Sequence, residues 1–330
     1  GVPFTWAMFV SHINALTSQL LFHSEQKWAL FSEDSVAFAI GFLALLQADK
    51  EIALPPNTQS GTLEEISVHV EGFLCDSPSH SSPIPHILLP SRSALQKESV
   101  PIASSLQFRS LNNQACTIKL FTSGSTGKAK IVEKALSQLE SEAITHEWMW
   151  GPILKKSRVV TTLSHQHIYG LLFQLLWPLS AGRPWETNSL FYPATLSAYA
   201  ESCDTIALIS SPAHLRRISE VLDFASLASK LSIIFSSGGP LPLATALAIH
   251  QQLGFSPTEV LGSTETGGVA WRRQDHSEQE EPWTLFQRVE YKARRTESPL
   301  WIRSPFADVN PNRWVRMDDR ITSLSSEQFL

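Results

Sequence analysis

The chain has little cysteine. Its three residues, Cys75, Cys116 and Cys203, are widely spaced and odd in number. They cannot all pair with one another, and none shows the two-residue spacing of a zinc clamp. Buried free thiols in a reducing compartment are the simplest account of them. Long apolar runs are also missing. Ile168 to Leu176 is interrupted by Gln174 and is too short to span a bilayer. The start lacks the charged and apolar segments of a signal peptide. A cytoplasmic protein without membrane insertion is therefore expected. No charge of one sign dominates: 26 Lys and Arg stand against 31 Asp and Glu, a formal net charge of −5. That leaves no basic patch for a nucleic acid and says little else about partners. No internal repeat is evident.

What is present is an apolar share of 43% over 330 residues, enough for a large core and for two or three packed subdomains. Short β-rich runs alternate with helical patterns. Strands are predicted at 28–31, 51–54, 118–121, 158–162, 205–209, 231–235 and 258–261. Helices are predicted over 35–46, roughly 133–150, through Leu179 and over 212–222, with one more before Thr258. That alternation predicts an α/β fold with parallel strands. From Ser77 to Ser105 the chain is rich in Ser and Pro and reads as a loop or a seam between two lobes. After Gly268 the helical period fades into a charged loop, 272–281, and strand-like pieces around 285–291 and 300–303. Approximate subdomains are thus 1–105, 106–268 and a small β-rich part, 269–330.

The most informative segment is Phe121 to Lys130, Phe-Thr-Ser-Gly-Ser-Thr-Gly-Lys-Ala-Lys, which reads as a loop between a strand and a helix. Gly124 and Gly127 let backbone N–H groups turn inward. Thr122, Ser123, Ser125 and Thr126 add hydroxyl donors, and Lys128 or Lys130 adds positive charge, a composition suited to phosphate. A nucleoside-triphosphatase P-loop needs four residues between its glycines and Ser or Thr after the lysine. Here only two residues separate Gly124 from Gly127, and Ala129 follows Lys128. A solvated polar linker would not need a β-branched strand feeding it.

The segment resembles the phosphate loop of the adenylate-forming, or AMP-binding, superfamily, which contains acyl- and aryl-CoA synthetases, peptide-synthetase adenylation domains and luciferases. The likeness runs through Gly127, and Lys130 falls on the family lysine. Ala129 and Ile131 replace the usual proline and glycine. Further segments follow in the family's order. Ser164-His-Gln-His-Ile-Tyr-Gly170 resembles the acyl-pocket segment, with His167 three residues before Gly170; His165 competes for that role. Ser236-Ser-Gly-Gly-Pro-Leu241 resembles the adenine turn. Leu261-Gly-Ser-Thr-Glu-Thr-Gly267 resembles the segment that packs on the nucleotide and places a carboxylate on Mg²⁺, with Leu261 where tyrosine is frequent. Trp314 to Ile321 resembles the ribose segment, with Met317 and Asp318 in place of Thr-Gly; a solvated Asp318-Asp319 turn is the alternative.

The resemblance implies the large N-terminal domain of such an enzyme, two parallel-sheet lobes and a β-rich subdomain. It implies ATP and Mg²⁺ as cofactors, a carboxylic acid joined to AMP, and then transfer to the thiol of coenzyme A or a carrier protein. The phosphates would be held by Thr122, Ser123, Gly124, Ser125, Thr126, Gly127 and Lys130, and Mg²⁺ by Glu265. Adenine and ribose would be held by Gly238, Gly239, Pro240, Gly262, Ser263, Thr264 and Asp319. Lys130, His167 and Glu265 would be the catalytic set. The family's lysine-bearing C-terminal domain is not in these residues, so a truncated enzyme is expected; a non-catalytic nucleotide- or partner-binding domain is the alternative. Leu171, Leu172, Phe173, Leu175 and Leu176, with Gly267 to Trp271, supply apolar walls and no evident acid for an α-amino group. An aryl or acyl acid is therefore expected, in the manner of acyl- and aryl-CoA synthetases and aryl polyene-type ligases.

Overall fold

The computed structural model describes residues 4–76, 84–97, 108–123, 129–276, 280–293, 297–310 and 312–330. The chain forms two compact units, Gly1–Leu136 and Ser137–Leu330. The division falls after Leu136, because segments 117–123 and 129–135, which the sequence placed in a second lobe, pair as two strands of the first unit's sheet.

That sheet has six strands: β1 (Lys27–Phe31), β2 (Glu51–Leu54), β3 (Gly72–Cys75), β4 (His86–Leu88), β5 (Thr117–Ser123) and β6 (Ala129–Ala135), in the order β4-β3-β1-β2-β5-β6. All neighbours run parallel except β5 and β6. Helices α1 (Trp6–Leu21), α2 (Ser35–Gln47), α3 (Ser60–Ser67) and α4 (Arg92–Lys97) complete the unit. Asp34 starts α2 by accepting from the N–H groups of Val36 and Ala37 at 2.8 and 3.0 Å, which satisfies donors that a helix start leaves open. Phe38 and Ile40 within α2 are fully buried, and each residue of β3 is buried, as strands covered on both faces must be. The Ser- and Pro-rich stretch contains β4 and α4, and β4 pairs with β3. Its residues 77–83 and 98–105 lie outside the described ones.

The second unit opens with α5 (Leu136–Leu154) and carries a seven-stranded sheet, β16-β12-β11-β10-β9-β8-β7. Strands β7 (Arg158–Thr161), β8 (Ile206–Ser210), β9 (Leu231–Ser236) and β10 (Thr258–Ser263) are parallel; β11 (Gly267–Arg273), β12 (Trp283–Leu285) and β16 (Gln328–Phe329) extend the sheet antiparallel. A third sheet of β13 (Glu290–Lys292), β14 (Ser298–Arg303) and β15 (Val315–Ile321) is antiparallel. The residues after Gly268 are thus divided between two sheets. Consecutive helical segments α6 (Ile168–Gly170), a π-helical stretch (Leu171–Leu176) and α7 (Trp177–Ser180) follow β7; α8 (Pro193–Glu201), α9 (Pro212–Ser219) and α10 (Leu243–Leu253) join later strands.

Two apolar masses hold this unit. One is chiefly aliphatic, with Val160, Leu208, Leu215, Phe224, Ile234 and Ile249. The other is aromatic: the His146 ring lies 4.4 Å from Phe173, Trp150 lies 4.9 Å from Phe235, and Phe173 lies 5.1 Å from Phe235. Arg183 closes its edge. The guanidinium donates to both oxygens of Glu147, and Trp177 Nε1 donates to the same carboxylate at 2.9 Å. These bonds, Arg183 first, hold the Glu147 carboxyl below its usual range. No helix among the described residues is long and apolar enough to cross a membrane.

Candidate functional site

The hydroxyl-rich loop of the first unit joins two antiparallel strands, with Phe121 opposite Ile131 and Thr122 opposite Lys130. The sequence placed a helix after this loop, but the β-branched Ile131 and Val132 extend the sheet through Ala135, and the helix begins only at Leu136. Thr122 is half-buried and donates to the Lys130 carbonyl at 3.3 Å, and Lys130 is exposed. Ser123 is the last residue of β5. Gly124, Ser125, Thr126, Gly127 and Lys128 lie outside the described residues.

In the second unit two hollows lie on either side of β10. The first, about 220 Å³, is lined by His167, Leu172, Phe173, Ser237, Ser263 and Thr264, among others. His167 is the residue before α6 and is exposed. Packing around its ring lowers its pKa through desolvation. His165, its competitor in sequence, is only 3% exposed and sits 3.3 Å from the amide nitrogen of Gln166.

This hollow also contains an acid that the sequence did not reveal. Glu142 of α5 lines it, is buried, and accepts the Gly268 N–H through Oε1 at 2.7 Å. His146, one helical turn on, lies 3.7 Å from the same oxygen. Its ring is fully buried, and that burial lowers its pKa to about 3. The only hint in sequence was the four-residue spacing of Glu142 and His146, which on a helix surface would be an ordinary solvated pair.

The second hollow, about 370 Å³, gathers Gly238, Gly239, Pro240, Leu261, Gly262 and Asp319. Gly238 adopts a φ of +86°, a conformation that glycine takes without steric cost. Ser237 fastens the start of the turn through its hydroxyl to the Val260 carbonyl at 2.8 Å. Asp319 is exposed and belongs to β15 rather than to a turn, because the segment pairs with β14, Arg316 opposite Trp301 and Arg320 opposite Pro299. Gly238, Val260 and Gly262 line both hollows. Gly262 cannot carry a side chain: a Cβ there would lie 2.4 Å from the Gly267 carbonyl oxygen.

Glu265 sits half-buried in the turn between β10 and β11. Mg²⁺ commonly takes one or two protein carboxylates and completes its shell with phosphate oxygens and water. A single carboxylate beside Thr264 fits that demand. Among the described residues, no group of three or more His, Cys, Asp or Glu side chains could hold a metal ion.

Known proteins give a consistent picture of the fold. ATP-bound MatB from Rhodopseudomonas palustris superposes with a TM-score of 0.80 at 16% identity, covering 100% of this chain and 73% of that one. O-succinylbenzoate coenzyme A synthetase from Bacillus subtilis, in complex with AMP, gives 0.78 at 17% identity over 97% of this chain and 90% of that one. The amide bond synthetase McbA from Marinactinospora thermotolerans gives 0.77 at 17% identity, with 98% and 72% covered. No curated protein sequence matches the chain. The AMP-binding enzyme family matches residues 2–292. The chain belongs to that family, whose members use Mg²⁺ and ATP to activate a carboxylic acid as its adenylate.

Proposed function

We propose that this chain activates an aryl or acyl carboxylic acid, with coenzyme A or a carrier-protein thiol as the acceptor of the acyl group. The observation that carries the proposal is the wall common to the two hollows. An acid in the hollow of His167 and Phe173 and a nucleoside in the hollow of Asp319 would meet at a wall of Gly238, Val260 and Gly262, two of whose three residues carry no side chain. That is the arrangement an in-line attack of a carboxylate on the α-phosphate needs, and positioning of this kind supplies much of the rate of such a step. Asp319 would take the ribose hydroxyls, the Gly238–Leu241 turn the base, and Glu265 the Mg²⁺, which neutralises charge on the leaving pyrophosphate. Segment 122–130 of the first unit, by its resemblance, is the candidate phosphate-binding loop.

The apolar face of the acyl-side hollow favours an aryl or acyl group. Glu142 is already engaged by the Gly268 N–H. The Bacillus subtilis neighbour is by name a ligase of an aryl acid and coenzyme A, which supports the same class.

Pyrophosphate exchange measured with ATP and Mg²⁺ across benzoic, cinnamic, fatty and amino acids tests this assignment. Hydroxylated aryl acids are expected to outperform free amino acids, and an amino acid as the best substrate would overturn the acid class. Asp319→Ala should weaken AMP binding by a factor of roughly 10 to 100, the loss of a charge-assisted hydrogen bond of about 1.5–3 kcal/mol. Calorimetry giving equal affinities for parent and variant would remove Asp319 from the ribose site.

A further inference from the structure

The base-side hollow has a charged support that its ligand-binding role does not by itself require. Glu259 of β10 and Arg272 of β11 face one another across the antiparallel ladder and are only 2% and 6% exposed. Arg272 Nε donates to Glu259 Oε1 at 2.9 Å. The other carboxylate oxygen accepts the Leu241 N–H at 3.0 Å. Leu241 ends the turn that begins at Ser237, so the turn is fastened to β10 at both ends. Arg272 is itself held in place. Its guanidinium lies 4.3 Å over the Trp283 ring, and Nη1 donates to Glu280 Oε2 at 3.1 Å and to the Glu281 carbonyl at 3.4 Å. Arg272, Trp283 and Glu280 also line the hollow.

A buried ion pair is a poor way to gain stability. Desolvation offsets most of its attraction, and an apolar pair of similar volume is often as stable or more so. An apolar pair here would, however, leave the Leu241 N–H without its acceptor. What distinguishes the charged pair is that it controls the position of the Gly238–Leu241 backbone.

We propose that Glu259 and Arg272 are positioning residues for the nucleotide: Arg272 orients the Glu259 carboxylate, and Glu259 holds the Gly238–Leu241 turn at the height at which its backbone meets the base. The proposal rests on the nucleotide reading of this hollow.

Two double variants isolate it. Glu259→Gln with Arg272→Met removes both charges and keeps an acceptor for the Leu241 N–H. Glu259→Leu with Arg272→Met removes the charges and the acceptor. Both lack a buried unpaired ion, so both are expected to fold, which circular dichroism and thermal unfolding check. The Gln-containing variant should bind AMP within about 3-fold of the parent, and the Leu-containing one at least about 10-fold more weakly, the scale of one lost hydrogen bond. The KM of the acid in pyrophosphate exchange should change less than about 2-fold in either, since of this turn only Ser237 and Gly238 line the other hollow and Ser237 keeps its own bond to the Val260 carbonyl. Equal AMP affinity in the two double variants overturns the proposal, as does a matching rise in acid KM, which would mean general loosening. A parent that binds no AMP would instead overturn the nucleotide reading, and the brace with it.

Discussion

The two hollows share a wall but are built of different materials. The acyl-side hollow is set into a mass of rings, with Phe173 at once a lining residue and a neighbour of His146, Trp177 and Phe235. The nucleoside-side hollow is shaped by backbone and hydrogen bonds: a glycine turn, two side chains that fasten it, and an exposed aspartate. Close-packed rings give a cavity its volume and cannot be trimmed without leaving a void. A turn of backbone amides can be shifted slightly with little loss of fold stability, yet its ligand would register the shift. Damage to the first region should therefore appear in unfolding, and damage to the second in affinity.

Phe173→Ala gives the largest expected effect. It removes a buried ring that several aromatic neighbours surround, at a cost of about 3–5 kcal/mol, read as a fall in the urea midpoint. In the folded protein the acid KM should rise while AMP affinity stays within about 2-fold, as for independent sites. If AMP binding falls as far as acid binding, the two hollows are not separately built.

His146 sharpens the contrast through pH. Burial lowers its folded pKa to about 3 from an ordinary 6.5, so the ring is neutral in the folded protein near neutrality. Below about pH 6.5 the unfolded chain takes up a proton that the folded chain refuses. The contribution to stability is complete above that value and shrinks by about 1.4 kcal/mol per unit as pH falls, until the folded pKa is reached. His146→Leu removes this dependence. Between pH 7 and pH 5 the parent should lose about 2 kcal/mol more than the variant in urea unfolding. Parallel losses would mean that His146 carries its proton in the folded state.

Many of the parallel strands were legible in the sequence as short, largely apolar runs, and β2 lies at residues 51–54 as read, but the parallel strands β3 and β4 were not read. The alternation that betrays β6 is brief and is followed at once by helix formers, so Glu133 and Lys134 read as the start of α5. Only pairing with β5, a tertiary contact, decides the matter. The turn that Asp318 and Asp319 offered as an alternative by composition is a strand instead, because the segment pairs with β14. Histidine spacing singled out His167, which lines the hollow beside Phe173, whereas His165 does not. Glu142 was illegible because its partner Gly268 is 126 residues away. Glu259 and Arg272 became a pair only when the β10–β11 register brought them face to face.

The smallest expected effect separates backbone shape from side-chain packing within one turn. Gly238 and Gly239 are adjacent and exposed, and a Cβ at either would meet nothing within 4 Å. They differ in backbone alone: Gly238 has a φ of +86°, whereas Gly239 is absent from the positive-φ residues. Gly238→Ala should thus cost about 1 kcal/mol through left-handed strain and weaken AMP binding, because the turn can relieve that strain only by moving. Gly239→Ala should leave stability within about 0.5 kcal/mol, as surface substitutions usually do. Thermal unfolding and AMP titration of the two variants side by side provide the check. Equal effects at both positions would show that AMP binding depends on the room these glycines leave rather than on the course of the backbone.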